Sequence, residues 1–181
     1  ANAELQQRWL AGIVSGQVLA SMCMSEPQAG SDLGLVCTRA QRRADGSYSV
    51  RGSKIFASGA QHDLSDNIVH LVLARAEGAP AGTRGLSLFL VPKLLDGGQP
   101  NALACTGIEH KMGLHGSPTC SMQFDDAQGW LVGELHGGLK ALFPMMNEAR
   151  LLSGLQAVGI SEAALQAAQS YAGERLQGRA G

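Results

Sequence analysis

The spacing of hydrophobic and polar positions changes twice along the chain. Over 2–13, Leu5, Trp9 and Ile13 recur at helical spacing with Gln6, Gln7 and Arg8 between them, which predicts a short helix. From Gln17 the period drops to two: Val18, Ala20, Met22 and Met24 alternate with Leu19, Ser21 and Cys23, a strand over 18–25. A second strand is expected over 35–43. It returns through Ala44-Asp45-Gly46 into a hairpin partner at 47–51, which resumes after Gly52 over 54–58. Further strands are expected over 67–76, 85–91, 102–109 and 119–124. Past Gly137-Gly138 the helical period returns. Leu139, Leu142, Met146, Leu151, Leu155 and Val158 make one stripe that continues to about Leu176, as one long helix or two joined near Gly159. Short strands at regular spacing, with no helices between them, predict a mainly β fold: an antiparallel β-barrel or sandwich flanked by helices.

Composition narrows the function classes. Hydrophobic residues make up 45% and charged residues 16%, so the chain can build a core and is not a disordered segment. A net charge of -1 leaves no basic footprint for nucleic acid. No apolar run approaches the ~20 residues of a membrane span. The start, Ala1-Asn2-Ala3-Glu4, lacks the basic and apolar regions of a signal peptide. Cys23, Cys37, Cys105 and Cys120 are scattered without metal-ligand spacing and are expected to be reduced, mostly buried thiols of a cytoplasmic protein. His110 and His115 flank a glycine turn with no third ligand nearby, which favours plain loop histidines over a metal site. The abrupt helical start, and a long apolar stripe without a partner, point to a piece of a longer protein.

Two stretches carry candidate chemistry. Met22-Cys23-Met24-Ser25-Glu26-Pro27-Gln28-Ala29-Gly30-Ser31-Asp32 begins as a strand, breaks at Pro27 and ends in small and hydroxyl residues. Such an end presents backbone N–H groups to a phosphate or a polar ring edge. In Gly52-Ser53-Lys54-Ile55-Phe56-Ala57-Ser58-Gly59 a second strand ends in an aromatic, a small residue and a hydroxyl. Spacing alone favours a plainer role, with Met24 and Phe56 in the core and Ser25 and Ser58 capping strand ends.

Taken together, the two stretches resemble the flavin-contacting segments of the acyl-CoA dehydrogenases. The first is similar to the family's Thr-Glu-Pro-x-Ala-Gly-Ser-Asp, with Ser25 in place of threonine. The second, Phe56-Ala57-Ser58-Gly59, is similar to Trp-Ile-Thr-Asn-Gly, with aromatic and hydroxyl kept. Ile108-Glu109-His110-Lys111-Met112-Gly113-Leu114-His115-Gly116-Ser117, Gly129-Trp130-Leu131-Val132-Gly133-Glu134 and His62-Asp63-Leu64 resemble the branch of larger enzymes similar to 3-methylmercaptopropionyl-CoA dehydrogenase.

The resemblance implies the middle β-domain of that family at 17–136. It places the end of a helical N-terminal domain at 1–16 and the first helix of a C-terminal helical domain at 137–181. It implies FAD as cofactor, an acyl-CoA substrate, an electron-transfer flavoprotein as electron acceptor and a homo-oligomer. Met22, Met24, Ser25, Ser31, Phe56, Ser58 and Arg175 are the expected FAD contacts: backbone N–H groups of Met24 and Ser25 at flavin N1 and O2, Ser58 at N5, Phe56 beside the ring and Ser31 at the pyrophosphate. Ser31 and Arg150 are the expected substrate contacts. The run Arg175-Leu176-Gln177-Gly178-Arg179 keeps only the arginine of the family's Arg-x-x-Phe-Gly motif. No catalytic base is expected here: Ala149 stands where a few members carry one, and the usual glutamate lies in the C-terminal part, so this piece alone is expected to be inactive. An acyl-CoA oxidase-like flavoenzyme and a non-catalytic β-barrel interaction module are the competing expectations.

Overall fold

A computed structural model describes residues 3–178 of the chain. They fall into two compact units, one running to Ala141 and the other starting at Leu142.

The first unit opens with two short helices, α1 (Ala3–Leu5) and α2 (Ala11–Ser15), joined by a π-helical stretch, Gln6–Leu10. The helical run is the expected one; Asn2 lies outside the described residues. Gly16, in the left-handed conformation at φ 77°, ends it. The stripe read from the sequence faces the protein: Leu5 and Trp9 pack with Val69 and Leu90, and Ile13, Val18 and Trp130 lie against them.

Seven strands follow: β1 (Val18–Cys23), β2 (Arg39–Arg42), β3 (Tyr48–Ser58), β4 (Asn67–Ala76), β5 (Leu86–Pro92), β6 (Leu103–Ile108) and β7 (Thr119–Val132). They form one sheet in the order β1-β4-β2-β3-β7-β5, with β6 on β7, and a further β4–β5 pairing closes the sheet into a ring. The expected β-dominated fold flanked by helices is present, and its pairing is mixed. β2–β3, β3–β7, β4–β5, β5–β7 and β6–β7 are antiparallel, but β1 and β2 both run parallel to β4, along 67–72 and 75–76. Those parallel pairs join strands with other strands between them in sequence rather than a tight turn. Inside lie Val50, Val72, Phe89, Val91, Met122 and Phe124, with Tyr48 tilted against Phe89 at 4.9 Å between ring centroids.

Three strand boundaries differ from the sequence expectation because backbone groups are claimed elsewhere. β1 stops at Cys23 rather than Ser25, since the Met24 carbonyl accepts from Lys54 and the Ser25 carbonyl from the Ile55 N–H. The expected strand over 35–43 shrinks to β2. Its first residues form a 3-10 turn, and the N–H groups of Cys37 and Thr38 donate to Glu26. β7 runs eight residues past its expected end at Phe124. Asp125-Asp126 reads as a turn in sequence but is a β-bulge, with Asp126 in the left-handed region at φ 63° and its carboxylate bonded to Ser49 and Arg51. Of the cysteines, Cys23 and Cys120 are buried, but Cys37 is exposed because it lies in the turn before β2.

The last element, α3 (Gly138–Glu174), is an unbroken helix of 37 residues that forms the second unit from Leu142 on; no second helix begins at Gly159. Pro144 sits within it. Among the described residues no helix is long and apolar enough to cross a membrane.

Candidate functional site

The two motif stretches lie side by side, joined by a buried ion pair. Lys54, on β3, has no exposed surface, and its Nζ lies 2.8 Å from Glu26 Oε1 and 2.9 Å from the Met24 carbonyl oxygen. A bond of 2.9 Å from the Ile55 N–H to the Ser25 carbonyl completes the seam. Glu26 is the hub. Oε1 also accepts from the Thr38 N–H at 3.0 Å and the Thr38 hydroxyl at 2.6 Å, and Oε2 accepts from the Cys37 N–H at 2.7 Å and Gln28 Nε2 at 2.6 Å. Burial alone would raise the Glu26 carboxyl, but the bonds from Lys54, Thr38 and Cys37 outweigh it and bring its pKa down to about 2. Burial pulls the Lys54 ammonium below the ordinary lysine range, and Glu26 opposes that pull. Five donors around one carboxylate hold Glu26 ionised, and Lys54 Nζ is one of them. Gly52 allows this packing: at φ 149°, a Cβ there would lie 2.5 Å from Thr38 Oγ1 and 2.9 Å from Thr38 Cα.

Beside this seam the chain leaves a polar edge open. Met22 is half-buried on β1, paired with Leu71; Met24 and Ser25 are half-buried just beyond it. On β3 the register with β7 slips between Lys54 and Ala57, a bulge that leaves Phe56 in the left-handed region at φ 58°. The slip keeps Lys54 and Ala57 buried while turning Phe56 outward, 60% exposed, with Ser58 exposed two residues on. A bulky residue with positive φ is rare and marks backbone strain held by its surroundings. The plainer reading of Phe56 as a core residue is therefore not what the structure shows.

The turn after Pro27 carries Ser31, exposed next to Gly30. Asp32 Oδ1 accepts the Gly34 N–H at 2.9 Å, and Arg75 ties the segment down from β4. Its guanidinium donates to the carbonyls of Val36 (2.7 Å), Gly34 (2.6 Å), Gly82 (2.9 Å) and Pro80 (3.0 Å), binding two loops at once. The Ile55–Ser25 bond thus sets the segment that carries Phe56 and Ser58 beside the one that carries Met22, Met24 and Ser25, and Ser31 follows on the turn after Pro27. Arg150 and Arg175 belong to the second unit. Arg150 is exposed on α3, with its guanidinium 5.9 Å from the Phe143 ring centroid and 3.3 Å from Asn147 Oδ1. Arg175 is exposed just past the helix end, with Nε 3.5 Å from Gln177 Oε1.

Sequence reasoning missed Glu26 and Lys54 as the residues that organise the site. The signal was present: each is a lone charge inside a run of apolar and small residues, and such a charge is either solvated or paired. A cavity of about 670 Å³ lies elsewhere, lined by Arg39, Arg51, Arg75, Glu77 and Asp126 among others, and contains none of the expected contacts. The candidate site is an exposed edge rather than an enclosed hollow. An apolar and aromatic wall, an available backbone donor and two hydroxyls along one edge suit a planar heteroaromatic ring with a phosphate tail.

The fold is that of a β-domain with helical segments at both ends of its chain. The family profile described as "Acyl-CoA dehydrogenase, middle domain" matches residues 21–127. The chain is 50% identical over 176 residues to 3-methylmercaptopropionyl-CoA dehydrogenase of Ruegeria pomeroyi, covering 94% of this chain and 30% of that protein. It is 42% identical over 188 residues to the broad-specificity linear acyl-CoA dehydrogenase FadE5 of Mycobacterium tuberculosis, covering 98% and 31%. A crystal structure of an acyl-CoA dehydrogenase complexed with FAD from Bacillus anthracis superposes with a TM-score of 0.78 at 28% identity, covering 97% of this chain and 28% of that one. The chain belongs to the acyl-CoA dehydrogenase family, and the match spans about 30% of the length of these curated relatives.

Proposed function

We propose that this chain is the central part of an FAD-dependent acyl-CoA dehydrogenase, which introduces an α,β double bond into an acyl-CoA thioester and passes the electrons to an electron-transfer flavoprotein. The observation that supports the reading is the seam of the Glu26–Lys54 pair and the Ile55–Ser25 bond, which joins the two motif stretches and leaves Phe56 and Ser58 exposed beyond it. The FAD held by the Bacillus anthracis relative supports the choice of cofactor. In this reading 1–16 ends a helical N-terminal domain, 17–136 is the middle domain and 137–181 begins a C-terminal helical domain. The protein works as a homo-oligomer in the cytoplasm.

Bound FAD supplies the hydride acceptor for the substrate's β-hydrogen. This chain's residues bind and orient. The N–H groups of Met24 and Ser25, with the Ser25 hydroxyl, would hold the N1 and O2 side of the ring, where negative charge gathers on reduction. The Ser58 hydroxyl would hold the N5 side. Met22 and Phe56 would wall the ring and exclude water. Ser31 serves the pyrophosphate and the substrate side of the turn, Arg150 binds near the thioester, and Arg175 reaches the FAD of a neighbouring subunit. The α-proton goes to a carboxylate outside these residues.

Anaerobic titration of the purified full-length protein with a panel of acyl-CoAs tests the reading. Bleaching of a flavin band by one chain-length class is the expected result. Admitting oxygen after bleaching separates the acceptors: rapid return of the flavin band with hydrogen peroxide formed in step with the double bond would transfer the protein to the oxidases. A colourless protein that takes up no FAD would leave a binding module.

A further inference from the structure

The buried lysine sits on the far side of the peptide group that faces the open edge. Lys54 Nζ donates to the Met24 carbonyl oxygen at 2.9 Å, and the same planar trans peptide ends, on its opposite side, in the Ser25 N–H. Carbonyl and N–H of one peptide share a resonance system. A charged donor at the oxygen draws electron density from the nitrogen and makes the N–H a stronger donor, as in any polarised hydrogen-bond chain. Burial removes the water that would otherwise screen the charge. Glu26, 2.8 Å from the same Nζ, works against this polarisation.

We propose that Lys54 is a positioning residue that acts through the Met24–Ser25 peptide, strengthening the Ser25 N–H as a donor to an acceptor atom that gains negative charge, and that Glu26 moderates the effect. The inference rests on the FAD reading above, in which that atom is on the N1 and O2 side of the flavin. A stronger donor there favours the reduced ring over the oxidised one, so the pair sets the flavin's reduction potential as well as holding the fold. The two residues then have opposite signs. Removing the ammonium weakens the donor, and neutralising the carboxylate leaves the ammonium less opposed.

The test is the two-electron potential and FAD dissociation constant of the full-length protein and its variants. Lys54→Met is expected to lower the preference for reduced over oxidised flavin about tenfold, a fall of ~30 mV for a two-electron couple. Glu26→Gln is expected to shift it the other way, and Lys54→Arg to return it toward the wild-type value. A purely structural role would weaken FAD binding in both variants without splitting the potentials; equal or same-direction shifts overturn the proposal. If Lys54→Met does not fold, Lys54→Gln, which puts a neutral amide in place of the ammonium, takes its place and is expected to shift the potential in the same direction. Wild-type protein that binds no FAD would overturn the FAD reading itself, whereas wild-type protein that binds FAD with unsplit variant potentials overturns only this inference.

Discussion

Five donors converge on the Glu26 carboxylate, and one of them is a lysine with no solvent access. Leaving either ion unpaired costs far more than the pair contributes net, because a buried charge cannot regain its water. Lys54→Met is therefore expected to destabilise the protein by about 3–5 kcal/mol, and the double variant with Glu26→Gln by less; chemical denaturation of the single and double variants measures both. Acid acts on two residues in turn. His70 is fully buried on β4, bonded to the Ser21 hydroxyl at 2.7 Å, with Nε2 unpartnered. Burial lowers its pKa from 6.5 to about 4, so between those values the unfolded chain takes up a proton that the folded one refuses. Stability falls across that window as pH drops. The Glu26 contribution is present above its ordinary value of 4.5 and is lost as pH falls toward about 2. Unfolding temperature against pH should decline from about 6.5 downward, and His70→Phe should flatten the upper part of the decline only.

Among the elements, β3 shows how a strand can serve a core and an edge at once. Its register slips at Val50/Arg51 and again at Lys54/Ala57, and the second slip turns Phe56 outward. A non-glycine residue in the left-handed region costs roughly 1–2 kcal/mol, which offsets the roughly 0.5–1 kcal/mol that glycine would lose in chain entropy. Phe56→Gly should thus leave the unfolding temperature within a few degrees of wild type while weakening FAD retention, read by gel filtration and flavin absorbance. Gly52→Ala is the opposite case: positive φ and contact with Thr38 together predict a loss of about 2 kcal/mol or more. Periodicity made most elements legible, and β4 runs over the residues expected from its apolar run. The bulges were not legible, because they depend on which residue of a distant strand each one faces: Val50 faces Ala127 and Ala57 faces Cys120. The shortened β2 was hidden for a related reason: Cys37 and Thr38 look like strand, but a carboxylate eleven or twelve residues earlier takes their N–H groups. The motifs identified the edge; what holds them together had to come from the structure.

Across the whole molecule, the strand ring and α3 differ in how their apolar residues are covered. The ring buries its apolar residues within its own unit, whereas on α3 Leu151, Leu155, Val158 and Leu165 are 52–74% exposed. A patch of that kind favours association. The isolated chain should sediment as a concentration-dependent oligomer, and Leu151→Glu with Leu155→Glu should return it to a monomer while leaving the β-sheet circular dichroism unchanged.

The ion pair has a consequence for descent. Glu26 and Lys54 sit 28 positions apart, in separate motifs, yet neither can be replaced alone without stranding a charge. They form one heritable character with two addresses. Drift can alter Ser25, Phe56 or Ser58 one at a time, but a lineage that loses one member of the pair is under pressure to lose the other. In remote relatives whose motif spelling has eroded, the joint presence or joint absence of this acid and base would be a better mark of kinship than either motif read singly.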